Sequence, residues 1–253
     1  MGAASKGPGE MDRHLADVGM ERSDREAMIA AIAIVGLAVA YGGVLIGGLA
    51  SIDTPGAPIE DPWFTILEIL IMAIMPAMVM LMAAIHAAAP DRWKPRGRRA
   101  LNFMIMAAVM TMVVHASLLI LRRTWLDDTP WRARLLSFEW PSVPYALEIV
   151  AWDILFALAV LLVGPLFTGS HLANVIRLLL IVSGLLALAG LAGPLLGDMR
   201  LRNIGVVGYA GVFPVAVALM AQHFRAAQGV AKPRNDLDEA ARNSKISGGT
   251  QSP

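Results

Sequence analysis

Six long apolar runs are separated by short polar interruptions, and both ends of the chain are polar. The runs cover 27–50, 63–89, 100–121, 143–169, 172–196 and 203–224. Each can supply the ~20 helical residues that cross a hydrocarbon core about 30 Å thick. Within a run the apolar character is continuous; 178–188 is interrupted only by Ser183 and Gly184. Strands of a membrane barrel would alternate apolar and polar residues over about ten positions. Only helices and closed barrels satisfy their backbone hydrogen bonds in lipid. The pattern therefore predicts an all-α, polytopic membrane bundle of six transmembrane helices. Gly48-Leu49-Ala50 before Ser51 resembles a signal cleavage site, but the run before it far exceeds the 7–15 residues of a signal h-region. A retained helix is expected. Residues 1–24 read as a polar tail and 226–253 as a Gly/Ser/Asn-rich tail expected to be disordered, leaving 25–225 as the transmembrane domain.

Composition sharpens this. Of 253 residues 57% are hydrophobic and 16% charged, with a mean hydropathy of +0.60. Soluble domains average about 25% charged residues, so an ordinary soluble enzyme, a disordered protein and a nucleic-acid binder are excluded. The lipid bilayer is the expected surrounding partner, with a second copy or a membrane-complex subunit as further candidates. The absence of cysteine removes disulfide, thiolate-metal and cysteine-nucleophile chemistry.

The net charge of +1 is uninformative, but its distribution sets an orientation. Lys6, Arg13, Arg22, Arg25, the cluster from Arg92 to Arg99, Arg177 and the C-terminal basic residues place fifteen positive charges on one side. The other side has six: Arg122, Arg123, Arg132, Arg134, Arg200 and Arg202. Cytoplasmic loops carry the Lys/Arg excess, so both termini are expected in the cytoplasm. The location expected is the plasma membrane, or the inner membrane of a prokaryote. The long outer connection, with Trp125, Trp131, Phe138 and Trp140, predicts an interfacial segment over 125–140, capped at Thr129-Pro130. A lid over an outward cavity is its functional alternative.

Small residues mark close helix contacts: Gly43 and Gly47 in the first run, Ala189, Gly193 and Gly197 in the fifth, Gly205, Gly208 and Gly211 in the sixth. Packing within the chain is the expected use, and a homodimer seam on the first run is the alternative. Pro76, Pro194 and Pro214 are expected to kink their helices. Nine of fifteen methionines lie in the second and third runs. Soft thioethers suit Cu(I), but the alternating Met78, Met80 and Met82 point about 200° apart on a helix. Filling of irregular gaps is the preferred reading.

The ionisable residues inside the runs are the most informative feature, because charge in the membrane is costly and tends to face the bundle interior. Glu68, His115, Glu148, Tyr209, Asp153 and Tyr41 all fall in the outer half of the bilayer, forming a polar shelf. Asp153 is the deepest carboxylate. It lies about 140° around the helix from Glu148, and is expected to contact a polar group on the first, fifth or sixth run, Tyr41 and Ser183 being the best candidates. The shelf has a structural reading as helix-pairing contacts. It also has a reading as an outward-facing ionisable cavity for a proton, a cation or a polar solute. A carboxylate–histidine metal centre at Glu68, His115 and Glu148 lacks a supporting HExxH or ExxH spacing. No cofactor is specified, and Ser183 has no GxSxG context for hydrolysis. The leading functional expectation is a small transporter or membrane sensor. The alternatives are a non-catalytic subunit or scaffold of a membrane complex and, less favoured, a membrane metalloenzyme.

Overall fold

A computed structural model describes residues 8–54, 57–124 and 138–228. Among these residues there are six helices long and apolar enough to cross a membrane, and no strand. They are α1 (Pro8–Ala50), α2 (Trp63–Ala88), α3 (Lys94–Thr124), α4 (Val143–Leu166), α5 (His171–Leu196) and α6 (Met199–Gln228). The six apolar runs thus become the six spans of a multi-pass membrane protein.

Each helix packs on the next along the chain. In α4, 61% of the most apolar stretch is buried inside the bundle against 17% in α1, which places α4 at the centre and α1 at the edge. The core is built from Ala30 and Ile34 of α1, Met75, Met78 and Met82 of α2, and Met104 of α3. It continues through Phe156 and Val160 of α4, Ile176 and Leu180 of α5, and Val217 and Met220 of α6. Ile32, Val39, Ile46, Met80, Leu178, Leu185 and Val207 point outward, as apolar residues facing lipid must.

α1 begins at Pro8, well before its apolar run. Nucleation is the costly step of helix formation. A polar segment continuous with a membrane-held helix avoids that cost, so 8–26 can be helical without a core of its own. The chain enters this helix with proline, favoured in a first turn, and Arg22 pairs with Glu26 at 2.9 Å on its exposed surface. The interfacial segment expected over 125–137, with its Thr129-Pro130 cap, lies outside the described residues. So does the tail from 229 onward. Phe138, Glu139 and Trp140 form an irregular bend leading into α4.

The prolines act differently from one another. α2 continues through Pro76. The α5 span is interrupted at Leu191, three residues before Pro194, and resumes as Ala192–Leu196. Pro214 follows a π-helical stretch, Val207–Val212, in α6. A second π-helical stretch, Val150–Phe156, lies in α4. The two stretches pack on one another through aromatic rings: Trp152 and Tyr209 are 5.0 Å apart between centroids, and Phe156 and Phe213 also 5.0 Å.

Close approach of α5 and α6 depends on glycine. A Cβ on Gly190 would lie 2.9 Å from Gly205 Cα, and one on Gly193 would lie 2.9 Å from the Arg202 nitrogen. A Cβ on Gly208 would lie 2.7 Å from the Ser183 carbonyl oxygen. Gly190 joins this seam, whereas Ala189 is exposed and Gly197 serves the turn with a left-handed φ of 74°. In α1, Gly47 receives the ring of Trp63 while Gly43 faces open space, so Gly47 is used within the chain.

Candidate functional site

The buried polar and charged side chains are Glu68, Thr111, His115, Ser142, Glu148, Asp153, Ser183 and Arg202 among the described residues. The charged ones and His115 form two ionic clusters, both supplied by α4.

The first cluster joins three helices. His115 of α3 places Nδ1 2.6 Å from Glu68 Oε2 of α2, and Nε2 3.1 Å from Glu148 Oε1 of α4. Trp152, one turn along α4, donates its Nε1 hydrogen to the same Glu148 oxygen at 2.6 Å. Thr111, one turn before His115, donates to the other Glu148 oxygen at 3.4 Å. Regular helical spacing explains these meetings, since residues four apart share a face. Glu68, His115 and Glu148 are each 5% exposed, so this is a dry network rather than a surface one. Phe138 covers it from the outer connection, its ring 5.5 Å from that of His115. Tyr41 of α1 lies within electrostatic reach of Glu68 and Glu148.

Hydrogen counting constrains this cluster. Two carboxylates and one imidazole joined by two bonds need two bonding hydrogens. Either His115 is an imidazolium between two carboxylates, or one glutamic acid donates to a neutral ring that donates to the other. Both arrangements carry a net charge of −1. Removing one proton leaves a nitrogen lone pair facing a carboxylate oxygen, and that contact must open.

The second cluster is Asp153 with Arg202. Arg202 Nε lies 3.4 Å from Asp153 Oδ2, and Arg202 Nη1 donates to the Tyr145 hydroxyl at 3.1 Å. Its guanidinium also sits over the Tyr145 ring, 4.7 Å from the centroid. The ion pair is not aligned as a hydrogen bond, and neither Asp153 oxygen has a hydrogen-bond partner. The carboxylate sits in a notch between Gly190 and Gly205. A Cβ on Gly205 would lie 2.8 Å from Asp153 Oδ1.

The sequence expectation for Asp153 left three spans open and named the wrong residues. Its partner is on the sixth span, but is Arg202, not Tyr41 or Ser183. Arg202 reads in sequence as an outer loop charge. The tight turn at Gly197-Asp198, with the Asp198 side chain accepting from Arg200 N at 3.0 Å, starts α6 early enough to bury it. The missed signal was electrostatic: a buried carboxylate needs a countercharge, and Arg202 is the base directly preceding the sixth run. Ser183 instead donates to the Gly208 carbonyl at 3.0 Å. Tyr209 packs on Trp152 and Phe156 and lies within reach of Arg202 and Asp153. Asp153 faces the bundle interior as expected, and it does not share a face with Glu148: Glu148 meets His115 and Thr111 of α3, whereas Asp153 meets Gly190 of α5 and Arg202 and Gly205 of α6.

Among the described residues no group of three His, Asp or Glu side chains is arranged to hold a metal. The geometry of His115 shows why: its carboxylates lie off opposite edges of the ring, whereas a metal requires ligands converging on one point. Comparison with known proteins finds no matching family model, curated protein or solved structure.

Proposed function

We propose that this multi-pass membrane protein is a small sensor or transporter that binds and releases a proton at Glu68–His115–Glu148. One observation carries the reading: both ring nitrogens of a buried histidine are bonded to carboxylates on two different helices. Loss of one proton breaks a bond between helices, so protonation is tied to the packing of α2, α3 and α4. Glu148 also accepts from Trp152 and Thr111, and the expected moving partner is Glu68. The charge pattern supports cytoplasmic termini, and on that reading Phe138 lies between the cluster and the outer surface.

The titratable and charged groups near the cluster are Tyr41 on α1, Asp153 and Tyr145 on α4, and Arg202 and Tyr209 on α6. Their contribution is separated by substitution at the cluster itself. Protein in nanodiscs is followed by amide hydrogen exchange in α2 as pH is raised. Corrected for the intrinsic rise of amide exchange with pH, exchange should increase in one cooperative step in the native protein, and His115→Gln should abolish the step while remaining folded. The scaffold reading is favoured by the same bonds, which pair three helices, but it requires a pH-independent α2. A flat native profile therefore overturns the proton reading. Orientation is checked with reporters: fusions after Gly97 and at the C-terminus should report cytoplasm, and fusions after Gly56 should report the exterior.

A further inference from the structure

Beneath the proton cluster the three helices carry a second layer of chemistry. On α2, Glu68 is followed on the same face by Ile71, Met75, Met78 and Met82, spaced four and three residues apart. On α3, the face of His115 and Thr111 continues to Met104. On α4, Glu148 is followed by Trp152 and Phe156. Met75, Met78 and Met104 line one interstice with Ala107, Trp152 and Phe156. The three methionines are at most 2% exposed. The alternating set Met78, Met80 and Met82 is divided, with Met80 facing outward; Met75, Met78 and Met104 line the interstice together.

We infer that this interstice is a binding site for a soft monovalent cation, Cu(I), with the thioethers of Met75, Met78 and Met104 as ligands and the indole of Trp152 against the ion. The proposal goes beyond the proton reading and stands on different residues. Three arguments support it. The lining offers sulfur and an aromatic face but no oxygen ligand, which suits a soft ion and excludes sodium, magnesium and calcium. The space does not admit a water molecule, so a hydrated cation has no place there, whereas a bare ion held by thioethers does. Among the described residues the buried charge is also incomplete. Asp153 and Arg202 offset one another, but Glu68–His115–Glu148 with two bonding protons retains −1. Met75 is seven residues below Glu68, about 10 Å along the helix, and a monovalent cation there supplies the missing charge in a low-dielectric interior. Trp152 touches both layers, donating to Glu148 and lining the methionine interstice.

The test uses the full-length protein in detergent with Ag(I), which shares the soft character of Cu(I) without its redox chemistry. Affinity is measured by competition with a chromophoric chelator, and Trp152 is followed by fluorescence against a Trp152→Phe blank. The native protein should bind one Ag(I) per chain and quench the Trp152 signal. Met104→Leu conserves volume and should remain folded. It should weaken binding by roughly tenfold or more. Met80→Leu, on the outward face, should bind as the native protein does. Anaerobic Cu(I) loading should give an X-ray absorption spectrum of sulfur ligation. No binding by the folded native protein overturns the proposal. So does equal binding by the Met75→Leu/Met78→Leu/Met104→Leu triple variant, and so does equal weakening by Met80→Leu. None of these results bears on the hydrogen-exchange step at His115, so the two proposals fail separately.

Discussion

Two ionic clusters sit within two turns of one another on α4 and are stabilised on opposite terms. In Glu68–His115–Glu148 the charged groups are tied by short hydrogen bonds, and Glu148 accepts from Trp152 and Thr111 as well as from His115. In Asp153–Arg202 the charges face one another at 3.4 Å without an aligned bond, and both Asp153 oxygens lack partners. The first cluster is specified by direction, the second by proximity. A bonded network changes when a proton is added or removed, because each bond depends on which atom holds the hydrogen. A loosely aligned ion pair fixes charge in place and is indifferent to small rotations. On the proposed reading the first cluster switches and the second holds.

The largest expected effect tests the holding role. Arg202→Met leaves the fully buried Asp153 carboxylate without a countercharge. Breaking a buried pair by removing one partner costs about 3–5 kcal/mol, so thermal unfolding of the detergent-solubilised protein should shift strongly downward. The double variant Asp153→Asn/Arg202→Met removes both charges and should recover most of that loss. A double variant as unstable as Arg202→Met alone would show that Arg202 acts through its contacts with Tyr145 rather than through Asp153.

The next effect compares the two ends of the bonded network. Glu148→Ala orphans the indole hydrogen of Trp152 and one ring nitrogen of His115 and also loses the longer 3.4 Å bond from Thr111, whereas Glu68→Ala orphans one ring nitrogen. Each buried unsatisfied donor costs about 1–3 kcal/mol. Glu148→Ala should therefore lose roughly twice the stability of Glu68→Ala in the same unfolding assay. Equal losses would remove the argument that Glu68 is the freer partner.

These clusters also show what sequence can and cannot carry. The six spans were legible because lipid imposes continuous apolar runs of fixed length. The meeting of Glu68, His115 and Glu148 was legible because all three lie near the same depth and the spans holding them follow one another. Arg202 was not, because a loop charge and a buried charge at the first turn of a helix look alike without the turn at Gly197-Asp198. Inward placement of Asp153 and Glu148 was legible from the cost of charge in lipid, but the π-helical stretch between them was not, since no periodicity of 3.6 residues anticipates it. The helical extension of α1 to Pro8 was hidden for another reason: polar residues give no apolar signal, and the helix there is propagated from the membrane-held part. Met75 and Met78 share a face by their spacing on α2, but their meeting with Met104 of α3 depends on how the two helices pack, which no spacing within one run conveys.

The smallest expected effect sharpens the boundary of the holding cluster. Ser183 is fully buried and was a candidate partner for Asp153, but its hydroxyl donates to the Gly208 carbonyl within the π-helical stretch of α6. Side-chain hydrogen bonds between membrane helices average about 0.6 kcal/mol, and a shift of that size in the unfolding of Ser183→Ala is expected. Ser183 is seven residues, about 10 Å along α5, from Gly190, where the helix touches Asp153. At that separation, effects on stability should add to within about 0.5 kcal/mol. The double variant Ser183→Ala/Asp153→Asn should therefore lose the sum of the two single losses. A departure well beyond that margin would mean that Ser183 and Asp153 share a hydrogen-bonded connection, and the pair with Arg202 would then belong to a longer network running down the α5–α6 seam.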